Sequence, residues 1–61
     1  MYVLERTDQG GGYVAKPGRK HSYTHELQHA QTFYTKEEAE KNSCVKNEIV
    51  VDLDDIVGKG Y

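Results

Sequence analysis

Sixty-one residues make one domain at most, and a domain of this size buries only about 60% of the surface its unfolded chain exposes. With hydrophobic side chains at 36% and charged ones at 30%, the core is small, and a staple in the form of a disulfide, a metal or a partner subunit is expected. The net charge of -2 is too weak for a nucleic-acid clamp or a DNA mimic.

Cys44 is the only cysteine, so no intramolecular disulfide can form and a reducing, cytoplasmic compartment is expected. The start, Met1-Tyr2-Val3-Leu4-Glu5-Arg6, does not resemble a signal peptide. No run approaches the ~18 apolar residues of a membrane span, so no membrane partner is expected. Charge is unevenly placed: Arg6, Lys16, Arg19 and Lys20 outnumber Glu5 and Asp8 in the first twenty residues, and acids dominate the remainder. The resulting dipole bears on docking rather than on fold.

Tyr2 to Thr7 favours a strand, and Tyr13 to Lys16 a second one. Between them Asp8-Gln9-Gly10-Gly11-Gly12 offers the positive φ that a hairpin loop needs, so residues 2–16 read as an antiparallel hairpin. A phosphate-binding loop would require a following Gly-Lys-Ser/Thr and a helix, and here a strand follows. Lys16-Pro17-Gly18-Arg19-Lys20 leaves the hairpin through a turn carrying three cations. It is a solvated basic loop, or alternatively a site for nucleic acid or a nucleotide ligand. No aromatic residues interleave with the charges as stacking would require, so the nucleic-acid partner is not favoured.

Tyr23, Leu27, Ala30 and Tyr34 fall on one stripe of a helix, which predicts a short helix over residues 25–30 with Ser22 or Thr24 as its cap. Thr35-Lys36-Glu37-Glu38 is a capping box with Tyr34 placed to staple onto Ala39, and predicts a helix from Lys36 to Asn42. Glu48 to Leu53 alternates, Ile49, Val51 and Leu53 against Val50 and Asp52, as a half-buried closing strand. Residues 54–61 read as a tail, either docked through Ile56, Val57 and Tyr61 or frayed. The fold class is α+β: a small antiparallel sheet made of the hairpin and the C-terminal strand, with one or two short helices on one face. The single domain spans residues 1–53.

His25-Glu26-Leu27-Gln28-His29 matches H-E-x-x-H, in which two histidines one helical turn apart hold zinc and the glutamate is a general base. His21 extends the series. On the predicted helix His25 and His29 point away from the Tyr23-Leu27-Ala30 stripe, toward solvent, and the chain is short for a fixed third ligand and its supporting shell. The pair is therefore a minority zinc reading, and no metal or other cofactor is expected. Cys44 reads as a small buried hydrophobe rather than a nucleophile. The five tyrosines, at positions 2, 13, 23, 34 and 61, are an excess suited to interfaces.

The run Arg6 to Gly18, then Ser22-Tyr23-Thr24, then Ala30-x-x-Phe33-x-Thr35-x-Glu37-Glu38-Ala39-Glu40, resembles small orphan proteins of phages and prophages over about residues 2–53. That resemblance implies a non-enzymatic protein that binds and inhibits a host protein or complex, such as a CRISPR or other defence system, and it carries no functional residues with it. The expected contacts are Tyr13, Lys16, Arg19 and Lys20 on the basic side and Asp54, Asp55 and Tyr61 on the acidic tail. A homodimer is the expected assembly, because the small core lacks another staple.

Overall fold

The computed structural model describes residues 1–44 and 46–58. Four strands, β1 (Tyr2–Arg6), β2 (Tyr13–Val14), β3 (Tyr23–Thr24) and β4 (Glu48–Asp52), form one sheet in the order β3-β2-β1-β4. Every pairing is antiparallel. Two helices complete the fold, α1 (Lys36–Asn42) and α2 (Leu53–Gly58). The small α+β architecture expected from the sequence is therefore present.

Central position in the sheet decides what β1 buries. Directly paired residues share a face, and β1 is matched to β4 from Tyr2↔Asp52 through Leu4↔Val50 to Arg6↔Glu48. Leu4 and Val3 point to opposite faces and both are fully buried. Leu4 clusters with Phe33 and Ala39, and Tyr2, Val14 and Val50 pack around them. Helix α1 lies against β1 and β4 and brings Ala39 into that cluster.

The predicted hairpin exists, but it is split. β1 and β2 are joined at Glu5↔Tyr13 and by the Arg6 N–H to the Gly12 carbonyl. Beyond that point the segment from Ala30 to Phe33 enters between them. Ala30 bridges Ala15, with Lys16 N–H donating to the His29 carbonyl and Gln31 N–H to the Val14 carbonyl. Phe33 exchanges two bonds of 2.8 Å with Tyr2. Two alanines and one phenylalanine thus fill the mouth of the hairpin, and all three are buried. Gly12 needs its missing side chain here: its φ is +98°, and a Cβ would stand 3.1 Å from the Thr24 carbonyl oxygen.

The helix predicted over residues 25–30 does not form. Tyr23 and Thr24 are instead edge strand β3, and only a single 3-10 turn, Leu27–His29, follows. The local cause is that Thr24 Oγ1 accepts from the Glu26 N–H, and both Glu26 and Ala30 have extended backbone. The stripe breaks accordingly: Ala30 is buried, whereas Tyr34 is 81% exposed and cannot staple onto Ala39. Phe33 takes the inward position that periodicity assigned to Tyr34.

Helix α1 has the predicted bounds. Thr35 Oγ1 accepts from the Glu38 N–H at 3.1 Å, the first half of the capping box. β4 ends at Asp52, one residue earlier than predicted, because Asp52 caps α2 by accepting the Asp54 N–H on Oδ1. Residues 54–58, expected as tail, belong to α2, which packs on β4. No helix among the described residues is long and apolar enough to cross a membrane.

Candidate functional site

The two edges of the sheet differ in charge, one through the loop after β2 and the other through β4 itself and the first turn of α2. At the β3 edge, the loop after β2 turns at Gly18, with φ +87°, and is closed by the Ala15 N–H donating to the Ser22 carbonyl. It holds Lys16, Arg19, Lys20 and His21 exposed. Arg19, Lys20 and His21 line a shallow cleft of about 100 Å³ together with Ala15, Tyr23 and Thr24. The cleft can receive a small anionic group. Of the residues the sequence pointed to, Arg19 and Lys20 line the cleft and Lys16 does not, while His21 and the β3 residues join them.

Tyr23 ties this edge to the far one. Its hydroxyl donates to Glu48 Oε2, while Glu48 Oε1 accepts the Cys44 N–H at 2.7 Å. The Arg6 guanidinium lies 4.4 Å from the Tyr23 ring centre and is held there by Asp8 and Gln9, at 2.8 and 3.1 Å. The hydrogen bond to Glu48, with burial and the Glu48 charge adding to it, raises the Tyr23 phenol above its ordinary pKa. This cluster had no clear sequence signal, because a predicted helix removed Tyr23 from the sheet; the signal was in Arg6, Tyr23 and Glu48 sharing a face once β3 is recognised as a strand.

At the β4 edge the side chains are acidic. Glu48 and Asp52 stand at the two ends of the strand, and Asp54 and Asp55 are exposed in the first turn of α2. Among the described residues neither Glu48 nor Asp52 has a cation within salt-bridge distance; the ion pairs are Arg6–Asp8 and His29–Glu26. Ile49, between the acids, is 49% exposed. Tyr13, another predicted contact, is half-buried in β2 opposite Glu5 and Thr24. Its side chain lies on the face opposite to Tyr23, apart from the basic cleft. Tyr61 lies outside the described residues.

The H-E-x-x-H segment does not have the geometry that the motif needs. His25 precedes the 3-10 turn and His29 ends it, so the two are not one α-helical turn apart on a common face. His25 is exposed, and His29 is half-buried with Nε2 2.8 Å from Glu26 Oε2. The glutamate that would be the base is thus engaged by the histidine that would be a ligand. No group of three or more metal-ligating side chains occurs among the described residues. Cys44, expected to be buried, is exposed, and its backbone N–H donates to Glu48 Oε1.

Set against known proteins, the chain matches no protein-family model, no curated protein and no solved structure.

Proposed function

We propose that this chain is a non-enzymatic interaction protein of the phage type, which binds a host protein or complex, a bacterial defence system being the class implied by the sequence resemblance, and inhibits it by occupying a surface. The observation that carries this reading is the placement of opposite charge on opposite edges of one small sheet, Arg19 and Lys20 beside β3 and Glu48 and Asp52 along β4. Two charged strand edges suit docking to a macromolecule better than turnover of a small substrate, for which the shallow cleft beside β3 offers little enclosure. Affinity purification of the tagged chain from a bacterial host, followed by mass spectrometry, tests the proposal. A stoichiometric host protein supports it, and its repeated absence under conditions that retain a control complex refutes it.

The basic cleft favours a second reading, binding of a nucleotide or nucleic acid through Arg19 and Lys20, with Lys16 exposed on the same loop but outside the cleft. Affinity that falls steeply with salt, and that is lost in the Arg19→Ala, Lys20→Ala double variant, would distinguish it. The homodimer suggested by the small core remains part of the first reading and is checked by sedimentation at micromolar concentration.

A further inference from the structure

The bond pattern of β4 defines an unfinished ladder. Thr7 N–H donates to the Asn47 carbonyl and Leu53 N–H to the Met1 carbonyl, so with the register Arg6↔Glu48 to Tyr2↔Asp52 the backbone groups of Ile49 and Val51 turn toward β1. Those of Glu48, Val50 and Asp52 turn outward. The Glu48 N–H is taken by the Cys44 carbonyl at 2.8 Å, and the Asp52 carbonyl begins α2. Four groups therefore face out from the edge in line: the Glu48 carbonyl, the Val50 N–H and carbonyl, and the Asp52 N–H.

Natural edges are usually blunted by lysine, proline or a bulge. β4 has none of these, its centre is Ile49-Val50-Val51, and it pairs with β1 without interruption. Only the acids at its ends guard it. We infer that β4 is a docking edge for an extended segment of a protein partner, which adds antiparallel to β4 as a fifth strand and carries a basic residue opposite Glu48 and another opposite Asp52, with three apolar residues between. The partner residue opposite Val50 exchanges both of its backbone bonds with Val50, and its neighbours cover Ile49 and Val51 on the other face.

The same charges disfavour a second copy of this chain as occupant. Pairing β4 with its own symmetry mate about Val50 sets Glu48 opposite Asp52 twice, and like charges directly opposite are destabilising. The inference rests on the protein-binding reading above and names the surface and the chemistry of the partner segment.

The test uses the full chain, isotope-labelled for NMR, and the synthetic peptide Thr-Lys-Val-Val-Val-Lys-Thr. Saturable shifts are expected at the amides of Val50 and Asp52. Methylating the backbone nitrogen of the central valine should weaken binding about tenfold or more, as loss of one backbone bond requires. The counterpart with glutamates in place of the lysines should bind at least about tenfold more weakly. Ile49→Lys, an exposed change whose backbone bonds to β1 are retained, should abolish binding of the lysine peptide. The inference is overturned by the absence of Val50 shifts at millimolar peptide, by equal binding of the two peptides, or by Val50 shifts that appear on concentrating the chain alone. A host partner recovered equally well by the wild type and by Ile49→Lys would sink the edge and leave the protein-binding proposal standing.

Discussion

Adjacent residues Phe33 and Tyr34 give opposite expectations on truncation, and the difference tests the split-hairpin core directly. Phe33 is 2% exposed, packs with Leu4 and Ala39, and belongs to the segment that wedges between β1 and β2. Truncating a buried phenylalanine to alanine costs about 3–5 kcal/mol. A chain of 61 residues has a total stability of only about 3–9 kcal/mol, so Phe33→Ala is expected to unfold without denaturant or close to it. Phe33→Leu retains most of the apolar volume and should lose roughly 1 kcal/mol, which moves a urea midpoint by about 1 M. Tyr34, 81% exposed, should change stability by no more than about 0.5 kcal/mol when truncated to alanine. Urea unfolding followed by circular dichroism and by tyrosine fluorescence reads all three variants. If Tyr34→Ala cost more than Phe33→Leu, the helical stripe read from periodicity would be right and the wedge would be wrong.

Tyr23→Phe removes the hydroxyl bond to Glu48 and is expected to cost about 1 kcal/mol, less than a buried charged bond because the pair is partly solvated. Since the folded-state phenol pKa is raised, its contribution is fully present below the ordinary phenol value of about 10 and is lost as pH rises through the higher folded value. An ultraviolet tyrosinate titration should show one late-titrating tyrosine that is missing in Tyr23→Phe, and the variant should lose less stability on the alkaline side. Gly12→Ala, at φ +98° and facing the Thr24 carbonyl at 3.1 Å, should destabilise by about 1–3 kcal/mol. Gly10→Ala, at φ +90° in open space, should cost less, and equal losses would remove the steric part of that account. Thr35→Ala should cost about 1 kcal/mol by uncapping α1, measurable as a lower thermal midpoint.

What could be read from the sequence was whatever local chemistry decides. Helix α1 was legible because Thr35 caps it through its own hydroxyl, a bond spanning three residues. β1 was legible from its run of strand-favouring residues, and β4 from the alternation of Ile49, Val51 and Leu53 against Val50 and Asp52. α2 also has a local signal, since Asp52 is an N-cap followed by two acids in the first turn and by Ile56, but the alternation that continues through Leu53 favours strand over the same residues and competes with it. The segment from Tyr23 to Tyr34 failed for a different reason. Its apolar spacing fits a helix, but its structure is decided by non-local bonds, Lys16 to His29, Gln31 to Val14, Tyr2 to Phe33 and Tyr23 to Glu48, about which a period in sequence carries no information.

The same distinction applies to the candidate site. The basic loop was legible because its three cations fall within five residues, and the structure places Arg19 and Lys20 in the cleft with Ala15, His21, Tyr23 and Thr24 as the other walls, leaving Lys16 outside it. The acidic edge was legible only as a closing strand from Glu48 to Leu53; its free backbone ladder follows from the sheet order, which places β4 at a border, and from the register, which turns the backbone of Val50 outward. An alternating strand has the same sequence whether it lies at the centre or at the edge of a sheet, since edge position depends on which other strands exist. Here β3 forms from residues that looked helical, and it caps the opposite border, beside β2. β1 is central because it pairs with both β2 and β4, and β4 is terminal because it pairs with β1 alone, so the β1–β4 pairing, formed by residues far apart in the chain, determines where the acidic border of the molecule lies.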